Sequence, residues 1–193
     1  MENIDILAKR LSQVRINKGT SAGGTNTTKN GNILEEKVRN IIKNNFFRQE
    51  CETYKKTKHK YQIEKVKRND KIYIRAPENA FSRWEKTNGN GFRKLGGAKN
   101  PDELLINEES KTINWLECKS QKGSGSVIEK LQSGTKKIRN LKRRFPDWNI
   151  NYCYILDNYF KGEPEIDELD EDGISYIWEN DSEFQKNLIN LIK

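Results

Sequence analysis

The chain predicts an α/β (α+β) fold, a central mixed β-sheet flanked by helices. Three observations carry this. Apolar residues recur at helical spacing in four separate stretches, short β-prone runs cluster between them, and two of those runs are joined by a tight polar turn. The resulting order is helix, helix, basic β-prone region, hairpin, helix, strand, strand, helix.

Each element has its own signal. Ile4, Leu7, Leu11 and Val14 predict an amphipathic helix over 3–16, and the Gly/Thr/Asn/Ser-rich segment 17–32 predicts a loop. A second helix starts at Asn30-Gly31-Asn32, with Leu34, Val38, Ile41, Ile42 and Phe46 on one stripe. Glu35 and Glu36 fall in its expected first turn, where negative charge complements the helix dipole. Residues 51–75 are strongly basic, with short β-prone pieces at Tyr61–Ile63 and Ile72–Ile74, a pattern suited to a track for phosphates. Residues 77–100 read as irregular. After the hairpin, Ser126-Val127-Ile128-Glu129 has capping-box spacing, and Leu131, Gly134, Ile138, Leu141 and Phe145 continue a helix that Pro146 ends. Strands are expected at Asn151–Leu156 and Ile174–Trp178, an exposed acidic loop at Glu163–Asp172, and a closing helix over 181–192.

No repeat or linker divides the sequence, so a single domain over 1–193 is expected. The chain is 33% hydrophobic and 33% charged, which implies a modest core under large polar loops. A net charge of +8 favours a polyanionic partner, nucleic acid before an anionic membrane surface. The absence of a long apolar run or a signal-like start points to a soluble cytoplasmic protein without membrane association. Cys51, Cys118 and Cys153 are odd in number and lack CxxC spacing, which fits a reducing compartment and argues against structural zinc. His59 is the sole histidine, so metal chemistry based on paired imidazoles is excluded.

The stretch Pro101–Gln121 concentrates the chemistry. Leu104–Ile106 and Ile113–Leu116 flank Glu108-Glu109-Ser110-Lys111, the pattern of a β-hairpin with a four-residue connection. If Asn107 and Thr112 close the turn, Asp102 stands opposite Glu117, and cross-strand Cβ atoms lie about 4.5–5.5 Å apart. The two-residue period places Lys119, and Gln121 beyond it, on the face of Glu117. Two carboxylates and an ammonium aimed at one point suit a hard cation and a phosphate. Mg²⁺ takes one or two protein carboxylates plus substrate oxygens, and phosphodiester hydrolysis needs a polarised phosphoryl oxygen and an activated water. Lys119 could orient the water, deprotonate it, or neutralise charge on the phosphorane.

Pro101-Asp102 followed by Glu117-Cys118-Lys119 resembles the PD-(D/E)XK nuclease signature, with 14 residues between the acids. The surrounding order resembles that superfamily's restriction-endonuclease-like αβββαβ core over about residues 31–157. The resemblance implies that Asp102 and Glu117 bind Mg²⁺, with Mn²⁺ able to substitute, and that Lys119 assists the attacking water. Glu35 matches the glutamate that the family often adds from the helix before the sheet, with Glu36 the alternative. Glu-Cys-Lys-Ser-Gln resembles the ExKxQ variant of some restriction enzymes and gives Gln121 a supporting role. The first core strand is not obvious.

A small basic chain without helicase or ATPase motifs most resembles a type II restriction endonuclease. That implies double-stranded DNA as substrate, a homodimer matched to a palindromic site, and a DNA methyltransferase protecting the same sequence. Arg93, Lys94, Lys122, Ser124, Ser126 and Lys130 flank the hairpin or open the next helix and are the expected DNA contacts. The alternatives are a structure-selective or repair nuclease such as a Holliday-junction resolvase, and a non-catalytic basic nucleic-acid-binding protein.

Overall fold

A computed structural model of the protein describes residues 25–56, 59–91, 100–121 and 131–193. The expected helix over 3–16 and the six expected DNA contacts lie outside them. Seven strands form one mixed sheet whose spatial order follows the chain: β1 Phe47–Lys56, β2 His59–Arg68, β3 Lys71–Arg75, β4 Glu103–Asn107, β5 Thr112–Lys119, β6 Asn149–Leu156 and β7 Ser175–Trp178. Neighbours from β1 to β5 are antiparallel, and β5, β6 and β7 are parallel. Parallel neighbours need a crossover. Helix α3 (Gly134–Arg144) lies in the first and α4 (Pro164–Glu171) in the second.

Strand alternation divides the core into two layers. Leu104, Ile106, Ile113, Trp115, Tyr152, Tyr154 and Leu156 belong to one layer, with Phe81 and Trp84 of α2 (Asn79–Asn88), Leu141 of α3, and Ile166 and Leu169 of α4. Leu105, Leu116, Cys153 and Ile155 belong to the other, with Leu34, Val38 and Ile42 of α1 (Thr25–Asn45) and Phe184 and Leu188 of α5 (Phe184–Leu191). Ile113 and Leu116 are fully buried, and burial of such a side chain contributes about 1.5–3 kcal/mol. The mixed sheet between helical layers agrees with the predicted class. Among the described residues, no helix is long and apolar enough to cross a membrane.

Four sequence expectations need correction. The loop expected over 17–32 gives way to helix by Thr25, so Glu35 sits well inside α1 and its first turn carries no acid. The β-prone pieces at Tyr61–Ile63 and Ile72–Ile74 fall in β2 and β3, but β1 and β2 each run ten residues, because backbone pairing extends the ribbon beyond its apolar residues. Within the segment expected to be irregular, Ala80, Phe81 and Trp84 recur at helical spacing and bury one face of α2. The acidic loop expected at Glu163–Asp172 is α4, with Pro164 at its start, Glu165 and Asp167 in its first turn, and Ile166 and Leu169 buried.

Two features position the site. At Gly134 a Cβ would stand 3.2 Å from the Tyr154 ring and 2.9 Å from Ile174 Cδ1, so glycine lets α3 lie close against β6. On the other side, Arg75 of β3 bonds Glu103 of β4 through Nε at 3.0 Å and Nη2 at 2.6 Å, and bonds Glu64 of β2 through Nη1. This buried ion cluster ties β2, β3 and β4 together.

Candidate active site

The β4–β5 hairpin has the register that its turn length predicts. Asn107 pairs with Thr112 and Glu103 with Leu116, so Asp102 comes opposite Glu117. The turn is held by Ser110 N–H donating to Asn107 Oδ1 at 3.0 Å, with Lys111 in the left-handed region at φ 49°. Asp102 is anchored in turn: Cys118 N–H donates to its Oδ2 at 2.8 Å. The preceding Pro101 carbonyl accepts the Glu78 N–H at 2.9 Å, which closes the approach to α2.

Glu117 is 2% exposed, and both of its oxygens are engaged. Oε1 accepts from Trp115 Nε1 at 3.1 Å and from Lys137 Nζ, while Oε2 accepts from Lys119 Nζ at 2.9 Å. The Lys119 ammonium also donates to the Cys118 carbonyl at 3.2 Å and lies 3.9 Å from Asp102 Oδ2. Three oxygens from two strands thus surround one positive centre.

The charges respond to this packing. Burial pushes the Asp102 carboxyl up, and Lys119 only partly reverses it. Burial also acts upward on Glu117, yet Lys119 and Lys137 together outweigh it and hold that carboxyl below its ordinary value. Lys119 is buried too, but Glu117 and Asp102 raise it above the ordinary lysine value, so it stays protonated. Lys137 moves the other way, lowered by burial more than Glu117 restores. Glu35 is pushed up to about 7, first by burial and then by the charge of Asp102.

Among the described residues, no group of three or more His, Cys, Asp and Glu side chains converges as a ready metal cage. The donors around Lys119 are two carboxylates and a backbone carbonyl. Hard oxygens in that number fit Mg²⁺, which keeps several waters and takes few protein ligands. The bound ammonium marks the point where they favour a cation.

The predicted residues divide accordingly. Asp102, Glu117 and Lys119 come together. Glu35 reaches them from α1, in the opposite layer, close enough for Asp102 and Lys119 to shift its titration. Glu36 is exposed and pairs with Arg39 at 3.2 Å, which leaves Glu35 as the helix acid facing the site. Gln121 is buried just beyond β5, where its backbone N–H donates to Asp157 Oδ2 at 2.9 Å.

Sequence reasoning missed Lys137 and Trp115. Lys137 lies among the lysines and arginines of its helix, yet it stands three residues after Gly134 and four before Leu141, both buried. That spacing puts it on the sheet-facing edge and was a usable signal. The Trp115 indole had none, since an apolar strand residue ordinarily reads as core.

No protein-family model, no curated protein and no solved structure matches the chain.

Proposed function

We propose that the chain is a Mg²⁺-dependent endonuclease of double-stranded DNA on a restriction-endonuclease-like core, acting as a type II restriction enzyme. The observation that carries this reading is the meeting of Asp102, Glu117 and the Cys118 carbonyl around the Lys119 ammonium at the end of a two-strand hairpin. The element order supports it as well. Taking α1, β3, β4, β5, α3 and β6 as the αβββαβ core makes β3 the first strand, with the β1–β2 hairpin and α2 as additions. Net charge supports a nucleic-acid substrate. The same reading carries a homodimer on a two-fold DNA site and a methyltransferase that protects that site.

Asp102, Glu117 and the Cys118 carbonyl would hold Mg²⁺, which when bound supplies Lewis-acid charge at the scissile phosphate and a more acidic water. The side chains then have separate roles. Lys119, kept protonated by its neighbours, orients the phosphate and balances its growing negative charge. Its raised pKa makes it a poor proton acceptor. Glu35, titrating at about 7, is matched to take a proton from the attacking water near neutral pH. Trp115 and Lys137 hold Oε1 of Glu117 and so aim Oε2 at the reacting centre.

The test is digestion of methylation-free plasmid DNA with Mg²⁺ or Mn²⁺, followed by sequencing of the ends. Discrete fragments with uniform ends are expected. Asp102→Asn, Glu117→Gln and Lys119→Ala should each abolish cleavage while duplex binding persists in Ca²⁺. Unaltered cleavage by the Asp102 or Glu117 variant would remove this site from the chemistry. Cleavage confined to branched DNA would transfer the assignment to a structure-selective nuclease.

A further inference from the structure

Helices α3 and α4 carry opposite charge on their outer faces. Both pack on the same face of the sheet, since Leu141 of α3 and Ile166 and Leu169 of α4 share one core layer. They lie side by side: Thr135 Oγ1 donates to Asp172 Oδ2, and Gln132 Nε2 donates to Glu168 Oε2 at 3.1 Å. Lys136, Arg139, Lys142 and Arg143 are exposed on α3, which contains no acid. Residues 163–172 contain no base and expose Asp167, Glu168, Asp170, Glu171 and Asp172. Among the described residues, none of these charged side chains forms an ion pair, and the two helices touch through neutral donors.

Local electrostatics do not account for this pattern. Like charges three and four residues apart on a helix destabilise it, and Arg139 has Lys136, Lys142 and Arg143 at those spacings. Asp167 has Asp170 and Glu171 likewise. The helix dipole favours Lys142 and Arg143 near the end of α3. It disfavours Lys136 in the first turn of α3, and Asp170 and Glu171 in the last turn of α4. A duplex laid on both helices would suit α3 and be repelled by α4. A second copy of the chain suits both through one operation. Each helix returns between parallel strands, so both run roughly antiparallel to them. A two-fold axis between the helices, in that direction, sets each α3 on the partner's α4; an axis across them would set like on like. The same rotation keeps both catalytic ends pointing one way. A groove of about 460 Å³ beside α3, lined by Ile138, Ile174, Arg139, Lys142, Arg143 and Asp172, adds apolar surface for the contact to cover.

We propose that α3 and α4 form the two-fold interface of a homodimer, with Arg139 and Arg143 of each copy facing Asp167 and Glu171 of the other. The need for a dimer rests on the nuclease reading; the choice of surface rests on the charges of the two helices. The experiment is sedimentation velocity of the full chain without DNA, across protein and salt concentrations. Wild type should dimerise at low salt and dissociate as salt screens the exposed pairs. Arg139→Glu/Arg143→Glu and Asp167→Lys/Glu171→Lys should each raise the dissociation constant about tenfold or more, because every substitution acts twice across the axis. Combining all four substitutions should return it toward the wild-type value, which also shows that the substituted helices fold. A wild type that stays monomeric at its solubility limit in low salt overturns the proposal, as does a dimer that neither double variant weakens. Weaker duplex binding by Arg139→Glu/Arg143→Glu with unchanged self-association also overturns it and gives α3 to DNA. Loss and recovery of the dimer in a protein that cleaves no DNA upholds the interface and overturns the nuclease reading instead.

Discussion

Lys137 shows how one side chain can set the state of another. Its ammonium and that of Lys119 keep the buried Glu117 ionised against the pull of burial. Replacing Lys137 by Met removes a charged hydrogen bond worth about 1.5–3 kcal/mol. Cleavage is expected to fall roughly 10- to 100-fold, with the acidic limb of the pH–rate profile moved to higher pH as the Glu117 pKa rises. Lys137→Arg should recover part of the loss, and a purely structural role would leave the limb in place. Glu35 makes the complementary case. Its folded pKa of about 7 stands above the ordinary 4.5, so the folded state holds a proton that the unfolded chain has released. Stability from this group therefore declines as pH rises between those values and stays at its lower level above them. In EDTA, Glu35→Gln should melt above wild type at pH values beyond 7 and converge with it below 4.5. A pH-independent difference would contradict the assignment. Cleavage by the same variant should fall about 10²- to 10⁴-fold if Glu35 accepts the proton.

At the level of elements, the Arg75 cluster decides whether the β1–β2 ribbon and the β4–β5 hairpin belong to one sheet. Arg75, Glu64 and Glu103 are all buried, and Arg75 bridges the two carboxylates. Arg75→Met would leave the buried Glu103 without its cation and Glu64 with only Arg48 at 3.5 Å, at a cost of about 3–5 kcal/mol. Chemical denaturation should show that loss near neutral pH and a smaller one in acid, where the carboxylates protonate. Equal loss at both pH values would locate the effect in packing instead. The hairpin β4–β5 was legible because a four-residue turn fixes register locally. α2 and α4 carried usable helical signals, but glycine-rich and acidic surroundings masked them. β1 and β2 were harder, since their pairing rests on backbone bonds rather than on an apolar alternation along the strands. The amide contacts were hidden too: half-buried Asn151 donates to Oδ1 of the buried Asn114 at 2.9 Å and to the Leu191 carbonyl at 2.6 Å, tying α5 to the sheet.

Across the whole molecule, the site lies at the end of the central strands where the two helical layers meet. Lys137 comes from the α3 layer and Glu35 from the α1 layer, and the hairpin between them supplies Asp102, Glu117 and Lys119. The sequence by itself determined the mixed α/β class, the hairpin and its register, and the meeting of three charged residues. Those features depend on alternation and turn length, which act over a few neighbouring residues. Only the tertiary structure decided that Lys137 and Trp115 clamp Glu117 and that Glu35 and not Glu36 faces the site. It also set the charge states, with Lys119 protonated and Glu35 titrating at about 7. The reason is physical: burial and through-space Coulomb interaction depend on which distant segments pack together, and no local pattern encodes that.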